Sequence, residues 1–233
     1  MLGLATGITN TSYQWQPTFV GGNMQLWLRN GVGVAVGQWD DSSGNGNHVT
    51  QGTSGNQAAL AEGGLDFDGS DDHYDLTTDI TIAIQEAFIV FLVCKRESTS
   101  GRMGILGISG NNDFLEFTSD RKVRFNTDGS DDDQLSYDAG TFAAGEKMVL
   151  AIQRESGGTG LIKTWKNGSL LTVSSIITGD GNNLGAIVFD VIASRNNDRF
   201  FNGIIHEMIV YDTTDLTTAE IDKVNAYLVN KHL

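Results

Sequence analysis

The sequence predicts an all-β, antiparallel sandwich closed by one C-terminal helix, on three observations. Apolar runs of strand length alternate with clusters of Gly, Asn, Asp and Ser; an Asn-Gly dipeptide joins two of those runs; and a clear helix-start signal occurs near the end of the chain.

Taken in order, the strand candidates are MQLWL (24–28), LDF (65–67), AFIVFLVCK (87–95), FLEF (114–117), KVRF (122–125), MVLAIQR (148–154), LIKTW (161–165), SLLTV (169–173), IVFDVIAS (187–194) and GIIHEMIVYD (203–212). Between them lie GSDD, SGNN, DGSDDD, SGGTG, GDGNN and SRNND, residues that tolerate positive φ or bond their own backbone in turns. Asn167-Gly168 supplies the two positive-φ positions of a type I′ turn, which predicts a hairpin between LIKTW and SLLTV. In IVFDVIAS and GIIHEMIVYD the apolar alternation is incomplete, so some strands should be covered on both faces. At the end, Thr217 and Glu220 form a Ser/Thr-x-x-Glu capping box, with Leu216 and Ile221 placed as a hydrophobic staple. Ile221, Val224 and Leu228 then share one helical face, so a helix over about 218–230 should lie on the sandwich.

Composition narrows the class. A chain of 233 residues can be one all-β domain with a sizeable core, and 39% hydrophobic residues suit a globular protein. The net charge of −14, with no basic cluster, argues against nucleic acid and against anionic membrane surfaces as partners. Cys94 is the one cysteine and reads as a buried, inert thiol. The opening MLGLATGITN has no basic region leading into an apolar stretch, so no secretion signal is expected, and the longest apolar run is too short to cross a bilayer.

Five stretches then carry a resemblance: WDDSSGNGNHVTQ (39–51), GLDFDGSDDHYDL (64–76), AFIVFLVCKRES (87–98), TWKNGSLLTV (164–173) and the final GIIHEMIVYDTTDLTTAEIDKVNAYLVNKH (203–232). In content and order they resemble concanavalin A-like, laminin G-like jelly-roll domains, from about residue 23 onward. The resemblance implies an antiparallel jelly roll with a terminal helix. That fold serves lectins, glycosidases, adhesion modules and virion components, so function has to be argued from sites.

Residues 39–52 pose the first such question. Asp41, Ser43, Asn45 and Gly46 match the first half of a calcium loop, but position twelve is Gly52, where a bidentate glutamate belongs. The turn chemistry alone explains the same residues, with Trp39 packed beneath, so a connector is the better reading. Asp68, just before GSDD (69–72), and Asp72 within it, beside Asp41, are the candidate calcium ligands, and the acids of GSDDD (129–133) read as solvated loop tips. Glu-x-Asp-x-Glu and Glu-x-Asp-x-x-Glu, the patterns of laminarinase-type enzymes on this fold, are absent, as are nucleophile-elbow, phosphate-loop and zinc motifs. His206 and Glu207 read as structural or surface residues, and no enzymatic activity is expected.

A sugar site would pair an exposed aromatic platform with Asp, Asn and Gly groups. Tyr74, Asp72, Trp39 and Asn45 are the candidate ligand-binding residues, with Trp15 and Tyr74 the aromatics expected to be exposed and Trp27 and Trp165 expected in the core. Residues 1–22 carry no charge and form a separate N-terminal arm, in which Trp15, Pro17 and Phe19 could dock on another subunit or fold back as an edge strand. The arm resembles the start of structural proteins of tailed, particularly marine, phages. That resemblance implies, as first expectation, a non-enzymatic virion protein on the particle surface, made in the host cytoplasm, contacting capsid or tail subunits and itself homo-oligomeric. The second expectation is a lectin-like module that binds a cell-surface glycan.

Overall fold

The computed structural model describes residues 15–110, 113–127, 131–157, 160–195, 197–212 and 215–233; the rest of the N-terminal arm, residues 1–14, lies outside them. Two antiparallel sheets face each other. The first contains β1 (Asn23–Leu28), β5 (Ala59–Ala61), β6 (Gly64–Asp68), β8 (Phe88–Arg96), β13 (Lys147–Arg154), β14 (Ile162–Lys166), β15 (Ser169–Leu170) and β18 (Asn202–Asp212). The second contains β2 (Val34–Ala35), β3 (Gln38–Trp39), β4 (Val49–Thr50), β7 (Tyr74–Ile82), β9 (Met103–Gly107), β10 (Phe114–Ser119), β11 (Lys122–Thr127), β12 (Asp131–Ser136), β16 (Ser175–Thr178) and β17 (Ile187–Ile192).

The first sheet runs β15-β14-β13-β8-β18-β6-β5, and β1 pairs with the second half of β18 on the edge whose first half takes β6. The second runs β16-β12-β11-β10-β9-β17-β7-β4-β3-β2. Asn167 (φ 50°) and Gly168 (φ 83°) make the expected β14–β15 hairpin turn. Only Ser169 and Leu170 of SLLTV pair, because Leu171 and Val173 then turn toward the core between the sheets.

β8 shows why alternation is missing from the central strands. Phe88, Val90, Leu92 and Cys94 point between the sheets, while Ile89, Phe91 and Val93 point outward beneath the helix α1 (Thr218–His232). The first sheet is therefore buried on both faces, and a helix covers what would otherwise be an exposed apolar surface. Ile221, Val224 and Leu228 of α1 pack with Trp27, Trp165, Ile209 and Tyr211 in this second core. Each such aliphatic side chain stabilises the docked helix by about 1.5–3 kcal/mol. The capping box is formed: Thr217 Oγ1 accepts from Glu220 N, and Glu220 Oε2 accepts from Thr217 N at 2.9 Å.

Two expectations need correction. Asp131–Asp133 are part of β12 rather than a loop tip: Asp132 pairs with Arg124 across the strands at 2.7 Å, and buried Asp133 accepts from Asp180 N and Gly181 N. Each of these two carboxylates has donors in reach, so an acidic run can sit in a sheet. Strands β7, β9 and β16 were not expected; β7 (YDLTTDITI) does alternate, but with Thr and Asp on its outer face.

Residues 15–22 fold onto their own domain. Pro17–Phe19 make a 3-10 turn, the Tyr211 hydroxyl donates to Pro17 O at 2.8 Å, Gly21 N donates to Glu220 Oε1 at 2.8 Å, and Val20 joins the helix core. This described part is neither an edge strand nor a detached arm. Pro17 is buried, while Phe19 is 52% exposed.

Candidate functional site

α1 has two working faces. Ile221, Val224, Asn225 and Leu228 face the sheet, and Lys223, Ala226, Tyr227, Asn230 and Lys231 recur at the i, i+3, i+4, i+7, i+8 spacing on the adjacent face. Trp15 and Gln16, brought there by the folded-back segment, and Arg29, just past β1, complete a cleft of about 630 Å³ with this second face. The volume lies in the range of small-ligand sites.

Aromatic rings form one side of it. The Tyr227 ring lies 5.8 Å from Trp15 and 6.4 Å from Trp27, both tilted or edge-on, the geometry that aromatic quadrupoles favour. Trp15 and Tyr227 are half-buried and line the cleft, whereas Trp27 is buried behind them. The Arg29 guanidinium sits 5.1 Å from the Trp27 ring centre, and Lys231 Nζ lies 5.7 Å from that of Tyr227.

Glu207 organises this wall from below. Its side chain is fully buried; Oε1 accepts from Trp27 Nε1 at 2.8 Å, and Oε2 accepts from Lys231 Nζ at 2.6 Å and His232 Nε2 at 2.7 Å. Burial alone would raise its pKa, but the bonds from His232, Lys231 and Trp27 outweigh it and hold the carboxyl below its ordinary range. Glu207 is therefore an anion at neutral pH, with its charge spent inside the protein. Burial and the nearby Glu207 raise the Tyr227 phenol above its ordinary value against the opposing Arg29, so it remains a hydrogen-bond donor.

The 39–52 loop supports the cleft from a distance. Asp41 accepts from Trp27 N at 2.9 Å, Ser43 N at 2.8 Å, Ser43 Oγ at 2.6 Å and Asn47 N at 3.1 Å. Asn45 and Asn47 donate their side-chain amides to Met24 O and Gln25 O. Trp39, buried, donates through Nε1 to Arg29 O at 3.2 Å. The loop is thus a connector, and its polar residues fix the backbone of β1 that carries Trp27 and Arg29. Trp39 and Asn45 act here as scaffold, with no place in the cleft wall.

Tyr74, expected to be an exposed platform, is fully buried; its hydroxyl accepts from Gly37 N at 3.0 Å, and its ring packs against Phe67. Tyr74 faces inward because β7 alternates and Tyr74, Leu76, Ile80 and Ile82 share the core side. The carboxylates that meet are Asp68, Asp71 and Asp72, whose oxygens lie within 4.8 Å of one another; Asp41 is not in this group. Asp72, raised by burial, accepts from Asp68 N, and Asp68 accepts from Ser70 N at 2.7 Å. Oxygens so spaced could converge on a hard cation, though the same bonds also describe an Asx turn.

A second recess, about 390 Å³, lies beside Gly69 and Ser70. Its two arginines, Arg102 and Arg199, already face Glu116 and Asp198. The helix-side cleft is the better candidate, because it presents aromatic faces together with cations that are not all paired. Sequence reasoning singled out Trp15 but missed Arg29, Tyr227 and Lys231. The second helical stripe, 223–227–230/231, was the readable signal.

No protein-family model matches this sequence, and no curated protein matches it. Solved structures do match in fold. Trypanosoma rangeli sialidase superposes with a TM-score of 0.55 at 14% identity over 90% of this chain and 33% of that one. The botulinum neurotoxin serotype D binding domain gives 0.56 at 16%, covering 89% of this chain and 52% of that chain. A botulinum neurotoxin type C structure, described as depending on two ganglioside molecules for cell entry, gives 0.52 at 14%, covering 88% and 51%. This chain thus spans a third of the sialidase and about half of the toxin chains, and at these identities the likeness is one of fold, an antiparallel two-sheet β-sandwich. None of these three is a phage protein, and they lend nothing to the virion part of the expectation.

Proposed function

We propose that this chain is a non-enzymatic glycan-binding module whose sugar site is the cleft between α1, Arg29 and Trp15. One observation carries the reading: Trp15 and Tyr227 present aromatic surface beside Gln16, Asn230 and three cationic side chains in a single concavity. Aromatic faces stack on the C–H side of a sugar ring, and the amides and cations meet its hydroxyls and substituents. The fold neighbours lend support of a coarser kind. Trypanosoma rangeli sialidase has been captured with sialic acid, and the type C toxin structure is described with gangliosides.

The sugar-binding reading therefore moves ahead of the particle-structural one. The structural role was implied by the resemblance of residues 1–22 to phage proteins, which the solved-structure matches do not support, and of the two placements open to that segment residues 15–22 take the one on their own domain, against Tyr211, Glu220 and the helix core. A surface adhesin on a particle would use the same cleft. Calcium has no assigned part in it, because Asp68, Asp71 and Asp72 are absent from the lining.

The test is a glycan array probed with the full chain, then with Trp15→Ala and Tyr227→Ala. Binding by the parent chain that falls at least tenfold in either variant supports the site. Absence of binding to every glycan, with and without calcium, would sink the reading.

A further inference from the structure

We infer that the cleft selects glycans bearing a carboxylate sugar over neutral ones, an inference that rests on the cleft being the sugar site. The chain carries 29 acidic residues against 15 Lys and Arg, yet Lys223, Arg29 and Lys231 converge on this cleft and no carboxylate lines it. The acid behind it, Glu207, has both oxygens engaged by Trp27, Lys231 and His232. Lys231 is thereby half-neutralised. Among the described residues, neither Arg29 nor Lys223 makes an ion pair within 4.0 Å; Arg29 bonds the neutral Tyr227 side chain, and Lys223 meets only the longer-range charge of Glu220.

Each cation has an ordinary explanation to set against this. Lys231 lies in the last helical turn, where a cation complements the helix dipole, and Lys223 is exposed on a solvated face. Arg29 is different. It is not helical, it is held over the Trp27 ring, and its backbone is fixed by the Trp39 indole. An arginine preset in this way offers a planar fork that matches a carboxylate in two parallel hydrogen bonds. A neutral glycan covering it would remove water from the guanidinium without replacing that water's bonds, which costs affinity. A carboxylate sugar stacked on Trp15 and Tyr227 would meet the fork of Arg29 directly, with Lys223 and Lys231 as flanking point charges. The chain as a whole carries a net charge of −14, so the selectivity is local rather than a consequence of net charge.

The experiment is calorimetry on the full chain with 3′-sialyllactose, trigalacturonate, 3′-sulfolactose and lactose, each at 50 mM and 500 mM salt. At least one carboxylate probe should bind tenfold or more tighter than lactose and sulfolactose, and the preference should shrink at high salt. Arg29→Gln and, independently, Lys223→Gln should each weaken the carboxylate probe more than they weaken lactose, by roughly tenfold or more for the carboxylate probe with Arg29→Gln, so that the ratio of the two affinities falls. Trp15→Ala should weaken every probe. Equal affinity for lactose and the carboxylate probes, or no effect of both cation variants, would overturn the selectivity and leave the sugar site standing. Preference for sulfolactose would overturn the carboxylate geometry in favour of bare charge. Silence of all four probes together with a blank array would remove the sugar site, and this inference with it.

Discussion

Two glutamates are buried in this molecule among cations and aromatic rings, and their pKa values are pushed in opposite directions. Glu207 receives three hydrogen bonds at 2.6–2.8 Å and is held ionised. Glu116, on the outer side of β10, faces three arginines at longer range: Arg124 Nη1 at 3.2 Å, Arg195 Nη1 at 3.6 Å and Arg102 Nε at 3.8 Å. Its Oε2 has no hydrogen-bond partner, and burial raises its pKa despite the charges around it. Arg195 lies instead 3.7 Å from the centre of the Phe114 ring, and Arg124 is engaged by Asp132. The difference teaches that directed donors, more than the number of nearby charges, decide whether a buried carboxylate is an anchor. Around Glu207 the donors also reach the surface, so the anchor shapes a cleft.

The largest expected effect tests that contrast. Glu207→Ala should cost about 3–5 kcal/mol in denaturant unfolding and abolish binding in the cleft, because it leaves the Lys231 ammonium, the His232 ring and the buried Trp27 indole N–H without their shared acceptor. Glu116→Gln should cost about 1 kcal/mol or less, since Arg124 keeps Asp132 and Arg195 keeps the Phe114 ring. Equal losses from the two substitutions would break the comparison. Leu228→Ala should cost about 2–4 kcal/mol through the cavity left under α1, and should weaken ligand binding only as far as the helix loosens.

Acid should act on the same region. His206, buried beside the Glu207 cluster, is depressed from 6.5 to about 4, first by burial and then by Lys147, with His232 adding to the shift and Glu62 opposing it. Below pH 6.5 the unfolded chain takes up a proton that the native His206 refuses, so stability should fall as pH drops from about 6.5 toward 4. The steepest slope from this one group is about 1.4 kcal/mol per pH unit. His206→Gln should flatten the slope in a melting-temperature series; an unchanged slope would place the acid sensitivity elsewhere. Glu207, with its lowered pKa, adds a loss in the same direction at still lower pH.

The smallest effect concerns the helix start. Thr217→Ala removes the side-chain acceptor for Glu220 N and should cost about 1 kcal/mol by thermal unfolding. Glu220 also holds Gly21, so a concurrent loss of affinity through Trp15 would tie the cap to the cleft.

Much of this was legible locally. Asn167-Gly168 specifies its turn, Thr217 and Glu220 specify the helix start, and the incomplete alternation of GIIHEMIVYD points to a strand covered on both faces, as β18 is. The candidate ligand residues were less legible because loop composition does not report burial: Tyr74 sits next to an acidic turn and still faces the core, and Asp41 is consumed by backbone donors.

The sequence by itself determined the sandwich, its connector loops and the helix that caps it, since strand period, turn chemistry and capping act between residues a few positions apart. Tertiary structure alone decided where the cleft is. Trp15, Arg29 and Tyr227 are separated by up to 212 positions, and they meet because β1 pairs with β18 while α1 folds back over the same sheet. Which cations stay unpaired in that cleft depends on which carboxylates the fold has already used, and no local pattern records that.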